Sequence, residues 1–280
     1  MSREINSKLN RGTEDTIERI IEERISTIDF EHIFIIDSLQ EVSREYTYLQ
    51  FFSFVVGAID ALQDQKAREI ITLMDNSLEM LVIYFACMLC GKVIIPVDIQ
   101  KKTLEMEAII REYPDAQIVS DEKYMADLEG YAYQTCHGLR IAENARRITK
   151  EQILGLFQNV AWKKDFQITY TSGTTGGNKG VVHSLYNLAL CACIYGDRYL
   201  KQRDNVFAHI WSMSYMAGLE NCVMVPFFSG SRIVLMERFS MKSAFTFWDK
   251  VIKYGVNVFW LSPTMLALLE KLGNQKVKEY

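Results

Sequence analysis

Residues 170–180 read Tyr-Thr-Ser-Gly-Thr-Thr-Gly-Gly-Asn-Lys-Gly: four Ser/Thr hydroxyls, four glycines and one lysine, with no acidic side chain among them. Glycines let successive backbone N–H groups converge on a ligand, with no Cβ in the way and φ > 0 available. Thr171, Ser172, Thr174 and Thr175 add hydroxyl donors, and Lys179 adds a charge on a flexible stem. A loop of this composition suits a polyanion, most simply a nucleotide triphosphate. Its flanks constrain the local fold. Phe166-Gln-Ile-Thr-Tyr170 alternates apolar and polar residues and reads as a strand entering the loop. Val181-Val-His-Ser184 leads into an apolar run, 185–195, that reads as a helix. The expected layout is strand, glycine-rich loop, then helix, as at many anion sites.

Spacing separates the known phosphate loops. A Walker A loop needs Gly, four residues, then Gly-Lys-Ser/Thr. Here Asn178 precedes Lys179 and Gly180 follows it, so that pattern fails. The Rossmann and kinase glycine patterns fail as well, because Thr175 stands two positions after Gly173. The bland alternative is a Gly/Thr-rich surface turn with a solvated lysine.

The stretch resembles the signature loop of the AMP-forming adenylating enzymes (acyl-CoA synthetases, luciferases and the adenylation domains of peptide synthetases). Their pattern runs Tyr-Thr-Ser-Gly-Ser/Thr-Thr-Gly-x-Pro-Lys-Gly. Asn178 stands where the family usually has Pro; Asn is also compatible with a turn. Weaker matches follow in family order. Tyr46-Thr-Tyr-Leu49 resembles the Leu-Thr-Tyr-x-Glu-Leu opening, with Gln50 in place of Glu. Cys90-Gly-Lys-Val-Ile-Ile-Pro-Val-Asp98 resembles the Ala-Gly-x-x-x-x-Pro-Val/Leu-Asp/Asn segment. Tyr215-Met-Ala-Gly-Leu219 and Pro226-Phe-Phe-Ser-Gly-Ser231 resemble the His-x-x-Gly-Leu…Pro-Leu-x-x-Gly-Ala block, and Val256 to Thr264 resembles a strand ending in Val-Pro-Thr.

Composition is that of an ordinary soluble globular protein. The 280 residues are 49% hydrophobic and 24% charged, enough for a large core in one domain or two lobes. A net charge of −4 does not favour nucleic acid or an anionic membrane as partner. The charged start carries no signal-peptide apolar region, and the longest apolar run, 80–90, is too short to span a bilayer. A cytoplasmic location is therefore expected. The six cysteines include Cys87-Met-Leu-Cys90 and Cys191-Ala-Cys193, both inside apolar runs, so they read as reduced buried thiols rather than metal ligands.

Along the chain, helical and strand patterns alternate. A helix-prone start (2–27) precedes a strand at 34–36 and a long helix from about Tyr46 to Gln63. Strands follow at 69–74, 93–97 and 117–119, with helices 78–90 and 104–112 between them. Residues 124–150 are the least regular. Beyond the loop come strands 206–210, 232–235 and 256–261, with helices 219–228, 240–254 and 263–272. This is an α/β alternation with helices on both faces of a sheet. The resemblance makes the expectation more specific: layered α/β subdomains of the large N-terminal domain of an acyl-CoA synthetase-like enzyme, incomplete here. Residues 1–165 would be a first subdomain and 166–280 a second, loop-bearing part, with the small C-terminal domain absent.

What the resemblance implies chemically is ATP-dependent activation of a carboxylic acid as its acyl-adenylate, followed by transfer to a thiol, either coenzyme A or a carrier protein. Residues Thr171, Ser172, Gly173, Thr174, Thr175, Gly176, Gly177, Asn178 and Lys179 would hold the phosphates, with Thr174, Thr175 and Lys179 acting on the departing pyrophosphate. Mg²⁺ would bind through phosphate oxygens, with no metal ligands of the chain's own. Tyr215, Met216 and Gly218 would border the acid pocket. Tyr215 replaces a family His and could pack on the acyl chain or gate it, or be a plain core tyrosine. Ala217 falls where amino-acid-activating domains carry an ammonium-binding Asp, which argues against an ordinary α-amino acid. Trp211, Met213, Met216 and Met224 are candidates for an apolar lining.

The family's adenine-binding loop, Tyr-Gly-x-Thr-Glu segment, ribose-binding Asp and catalytic C-terminal lysine have no counterpart in the 280 residues. The expectation is a fragment or truncated product that is inactive alone. A complementing C-terminal chain and a catalytically dead nucleotide-binding or interaction module both stay open.

Overall fold

The computed structural model describes residues 14–63, 67–100, 103–135, 141, 143–172, 178–200 and 204–273. Ten strands are present among them: β1 (Ile33–Asp37), β2 (Arg44–Thr47), β3 (Glu69–Leu73), β4 (Val93–Pro96), β5 (Gln117–Ser120), β6 (Tyr133–Thr135), β7 (Asp165–Ser172), β8 (Asn178–Ser184), β9 (Val206–His209) and β10 (Arg232–Leu235). They form two sheets, ordered β2-β1-β10-β9 and β6-β5-β3-β4-β7-β8. Pairing is parallel except at β2 and β8, which are antiparallel edge strands.

Side-chain alternation along the strands makes this a layered structure. On β3, Ile70 joins a large central core and Ile71 an outer one; on β10, Ile233 joins the central core and Val234 a third. Each sheet is thus buried on both faces, which is why Ile-Phe-Ile-Ile, Val-Ile-Ile-Pro and Arg-Ile-Val-Leu read as nearly unbroken apolar runs. The central core lies between the sheets and contains Tyr48–Gln63, Leu78–Cys90, Lys150–Gln158 and Leu185–Tyr199. Thr103–Glu112 covers the outer face of the six-stranded sheet, and Phe247–Tyr254 and Pro263–Gly273 that of the four-stranded sheet.

Leu78–Cys90 is apolar all round because it is enclosed on every side, from Met80 through Met88. The Ser77 side chain accepts from the Met80 N–H, and Gly91, at φ 72°, ends the helix in the left-handed conformation. No helix among the described residues is long and apolar enough to cross a membrane.

Several expected boundaries differ. The loop is followed by a return strand, β8, before the helix begins at Leu185, so the layout is strand, loop, strand, helix. The apolar pair Val181-Val182 belongs to that strand. Arg44–Thr47 is an edge strand, and the long helix starts at Tyr48. Residues 256–261 make a single bridge, Phe207 to Val258, rather than a strand. The expected helix 240–254 is interrupted between Met241–Ala244 and Phe247–Tyr254. The segment expected as helix 219–228 is a wider π-helical stretch, Ala217–Met224, continued by Val225–Phe228. The irregular 124–150 region contains β6 and the end of a 3₁₀ segment, Glu122–Leu128. Cys191 is exposed, unlike the buried Cys87, Cys193 and Cys222. Both sheets draw strands from either side of residue 165, since β1 pairs with β10 and β4 with β7.

Candidate active site

β7 and β8 form a hairpin with Tyr170 opposite Gly180, Thr171 opposite Lys179 and Ser172 opposite Asn178. Gly173, Thr174, Thr175, Gly176 and Gly177 lie outside the described residues. The pairing explains two fixed positions of the sequence pattern. A Cβ on Gly180 would stand 3.2 Å from the ring of Tyr170, so the glycine leaves room for the aromatic side chain across the ladder. The Tyr170 hydroxyl donates to Glu112 Oε2 at 2.6 Å, which anchors the loop end of the hairpin to the outer helix. Cross-strand partners project from the same face of a sheet, so Lys179 leaves the hairpin on the face of Thr171. The helix of Leu185–Tyr199 begins at the far end of β8, and its N-terminus is therefore not part of the loop.

The Thr171 face opens on a cavity of about 660 Å³, lined in part by Thr169, Thr171, Trp211, Tyr215 and Met216. The cavity sits past the carboxyl ends of β4, β7 and β9, where α/β sheets commonly bind ligands. Of the residues expected to border an acid pocket, Tyr215 and Met216 line it. Gly218 stands behind the wall, buried, with its carbonyl turned to His209. Trp211 lines the cavity too, whereas Met213 and Met224 belong to the central core.

Three polar arrangements shape the cavity; the motif reading singled out some of their members, Tyr215, Met216 and Trp211 among them, but not the partners that hold them. At one wall Asp98, just past β4, accepts from the Tyr215 hydroxyl at 2.9 Å, from Arg238 Nη1 at 3.1 Å and from the Gln100 N–H at 3.1 Å. Burial alone would raise the Asp98 pKa, but these donors and the guanidinium charge outweigh it and hold the carboxyl below its usual value. The Tyr215 phenol is raised by burial and by Asp98, so it remains a protonated donor. Tyr215 is 46% exposed, and Asp98 rather than core packing holds it in place. Since β4 belongs to one sheet and Arg238 follows β10 of the other, this cluster also ties the two sheets together beside the cavity. The Pro-Val-Asp segment was the sequence signal for Asp98; nothing local marked Arg238.

Beneath the floor, the Tyr84 hydroxyl donates to Gln167 Oε1 at 3.0 Å, and Gln167 Nε2 donates to Thr169 Oγ1 at 3.0 Å. Thr169 in turn lies 3.5 Å from the Met216 sulfur. On the third side, Asn76 Nδ2 donates to the Trp211 carbonyl at 2.8 Å and faces His209 Nδ1 at 3.3 Å, while the Met213 N–H donates to Asn76 Oδ1 at 3.1 Å. With Nδ1 facing a donor, His209 carries its proton on Nε2, which donates to the Gly218 carbonyl at 3.0 Å.

Burial pushes the His209 pKa down from 6.5 to about 4, with its backbone hydrogen bonds opposing the shift. The folded state therefore holds a neutral imidazole. Its contribution to stability is present above pH 6.5 and is lost as pH falls toward 4, roughly 3 kcal/mol in all. An NMR titration of the folded chain should find the His209 ring titrating near about 4; an ordinary imidazole titration would contradict its placement.

Comparison with known proteins accords with this geometry. The mitochondrial malonate–CoA ligase of Xenopus laevis is 23% identical over 69% of the chain, and acetyl-coenzyme A synthetase 1 of Candida albicans is 31% identical over 40% of it. ATP-bound MatB from Rhodopseudomonas palustris superposes with a TM-score of 0.74 at 19% identity over 90% of the chain. The o-succinylbenzoate CoA synthetase of Bacillus subtilis, in complex with ATP and magnesium ion, does so with a TM-score of 0.70 at 18% identity over 88% of it. The chain spans 34% of the Xenopus ligase, 17% of the Candida synthetase, 50% of MatB and 64% of the Bacillus chain. The fold is that of the N-terminal part of acyl-CoA synthetase-like enzymes. With residues 26–280 matching the family description "AMP-binding enzyme", the chain belongs to the AMP-binding enzyme family.

Proposed function

We propose that the hairpin loop and the cavity beside it form the phosphate and acid sites of an ATP-dependent acid–thiol ligase. In that reaction a carboxylate oxygen attacks the α-phosphorus of ATP and the bond to pyrophosphate breaks, which gives an acyl-adenylate; a thiol, coenzyme A in the favoured reading, then displaces AMP. The observation that supports the reading is the hairpin register, which pairs Lys179 with Thr171, a residue of the cavity lining. In this reading Thr171, Ser172, Gly173, Thr174, Thr175, Gly176, Gly177, Asn178 and Lys179 hold the nucleotide phosphates. Thr174, Thr175 and Lys179 meet the charge that builds on the leaving pyrophosphate. Mg²⁺ arrives bound to the phosphates as part of the nucleotide substrate.

Tyr215 and Met216 would border the acid, and Gly218 allows their loop to pack close behind the cavity. Asp98, Thr169, Thr171 and Ser214 line the cavity beside apolar Pro96, Trp211, Met216 and Ala217, and the malonate and acetate ligases among the relatives support a short carboxylic acid as substrate.

The chain covers about half the length of its solved neighbours, which supports a second element of the proposal: these 280 residues bind nucleotide but do not complete adenylation without the remainder, supplied in cis or by a complementing chain. ATP–pyrophosphate exchange and calorimetric ATP binding on the purified chain separate the outcomes. Binding without exchange, lost about tenfold or more in Lys179→Ala, is the expected result. Robust exchange would overturn the need for a complement. Absent binding, or binding indifferent to Lys179, would overturn the phosphate site.

A further inference from the structure

The π-helical stretch Ala217–Met224 holds a carboxylic acid that the proposed reaction does not use. Both side-chain oxygens of Glu220 are buried, and neither has a hydrogen-bond partner among the described residues. Among the described residues, the neighbours of Glu220 offer no free charge to balance its own. Tyr84, on Leu78–Cys90, already donates its hydroxyl to Gln167. Cys191 and Cys193, on Leu185–Tyr199, are thiols that burial and the Glu220 charge both push up. His209, on β9, is neutral and already donates to the Gly218 carbonyl. Val225–Phe228 brings no titratable group. Arg24, the cation acting on Cys193, is taken up by Asp197.

A carboxylate in such a place is costly, so the group keeps its proton; burial raises the Glu220 pKa to about 8. The stretch that carries it is continuous with the cavity wall, since Ala217 lines the cavity together with Tyr215 and Met216. A π-helical turn is also a wider, rarer form of helix that is often found at functional sites.

We propose that Glu220 is a proton-operated catch on the cavity wall: protonated, it lets Ala217–Met224 pack against Leu78–Cys90 and Leu185–Tyr199, and loss of the proton to solvent releases this stretch and the wall attached to it. The cavity wall keeps its shape at neutral pH and loosens in alkali. The inference concerns the chain itself and holds whether or not the remainder of a ligase is present.

Hydrogen–deuterium exchange of the whole chain, corrected for the chemical exchange rate, tests it directly. Between about pH 6 and about pH 9, opening of residues 216–224 should rise about a hundredfold in the parent chain, tenfold for each pH unit up to the displaced pKa of about 8, and should stay flat in Glu220→Gln. An equal rise in Glu220→Gln, or none in the parent, overturns the proposal. A second measurement needs no variant. Infrared spectra of the parent should show the stretch of a protonated carboxyl at neutral pH that disappears in alkali, and its absence at neutral pH overturns the proposal as well.

Discussion

Replacing Gly218 by alanine should lower the stability of the chain by about 3 kcal/mol or more and dismantle the cavity wall. The reason is backbone proximity. A Cβ at this position would stand 2.1 Å from the Ser212 carbonyl oxygen and 3.1 Å from the Met213 nitrogen. Neither atom can swing aside, because the Ser212 carbonyl accepts from the Tyr215 N–H and the Met213 N–H donates to Asn76. The turn also closes on itself, with the Gly218 N–H donating to the Tyr215 carbonyl at 3.0 Å. Any shift that relieves the clash displaces the Gly218 carbonyl from His209 and moves Tyr215 relative to Asp98. Urea titration would show the loss as a lowered midpoint, and NMR would show it as a displaced His209 ring signal. A Gly218→Ala chain with the parent's midpoint and His209 signal would mean that the close approach is not as described.

Phe227→Ala should cost a comparable ~3–5 kcal/mol, by a different mechanism. Phe227 is fully buried, and its ring centroid lies 4.9 Å from Phe85, 4.9 Å from Phe228, 5.7 Å from Phe157, 5.9 Å from Phe52 and 6.0 Å from Phe34. These rings come from β1 and from four separate helical segments. Truncation would leave a void lined by stiff aromatic rings that cannot collapse into it, so the cavity adds to the lost transfer energy. The tilted and edge-on ring pairs would be lost too. Phe227→Leu should recover much of the stability by refilling part of the space. Denaturation midpoints measure both variants; a Phe227→Ala loss below about 1 kcal/mol would show that the ring cluster relaxes freely.

The aromatic core also illustrates what was hidden in the chain. Phe34, Phe52, Phe85, Phe157 and Phe227 are widely separated, and no local pattern announces that they meet. The same holds for Arg238, which joins Asp98 from the other sheet across 140 positions. Local signals served better where the physics is local. Ser77 and Gly91 bound their helix through a side-chain cap and a left-handed residue, both of which depend on neighbours in sequence. β8 was missed because Val181-Val-His-Ser184 on an edge strand lacks a two-sided apolar pattern, and Val181 and Val182 stay exposed. The edge strand Arg44–Thr47 escaped for a similar reason, its polar residues being paired only with β1.

The sequence by itself determined an α/β chain with a polyanion-suited loop at residues 170–180, because that loop and the apolar strand runs express short-range chemistry: glycine's freedom, hydroxyl donors, one lysine and two-sided burial; the likeness of the loop's pattern to a known signature is what pointed to the family. Only the tertiary structure decided that residues 165–172 and 178–184 pair as a hairpin, that Thr171 lines a cavity, and that Asp98, His209 and Glu220, which has no hydrogen-bond partner among the described residues, border or support that cavity's wall. These last features depend on which distant segments share a dielectric environment and a hydrogen bond. Burial and long-range pairing set that, and neither is a property of any short stretch of sequence.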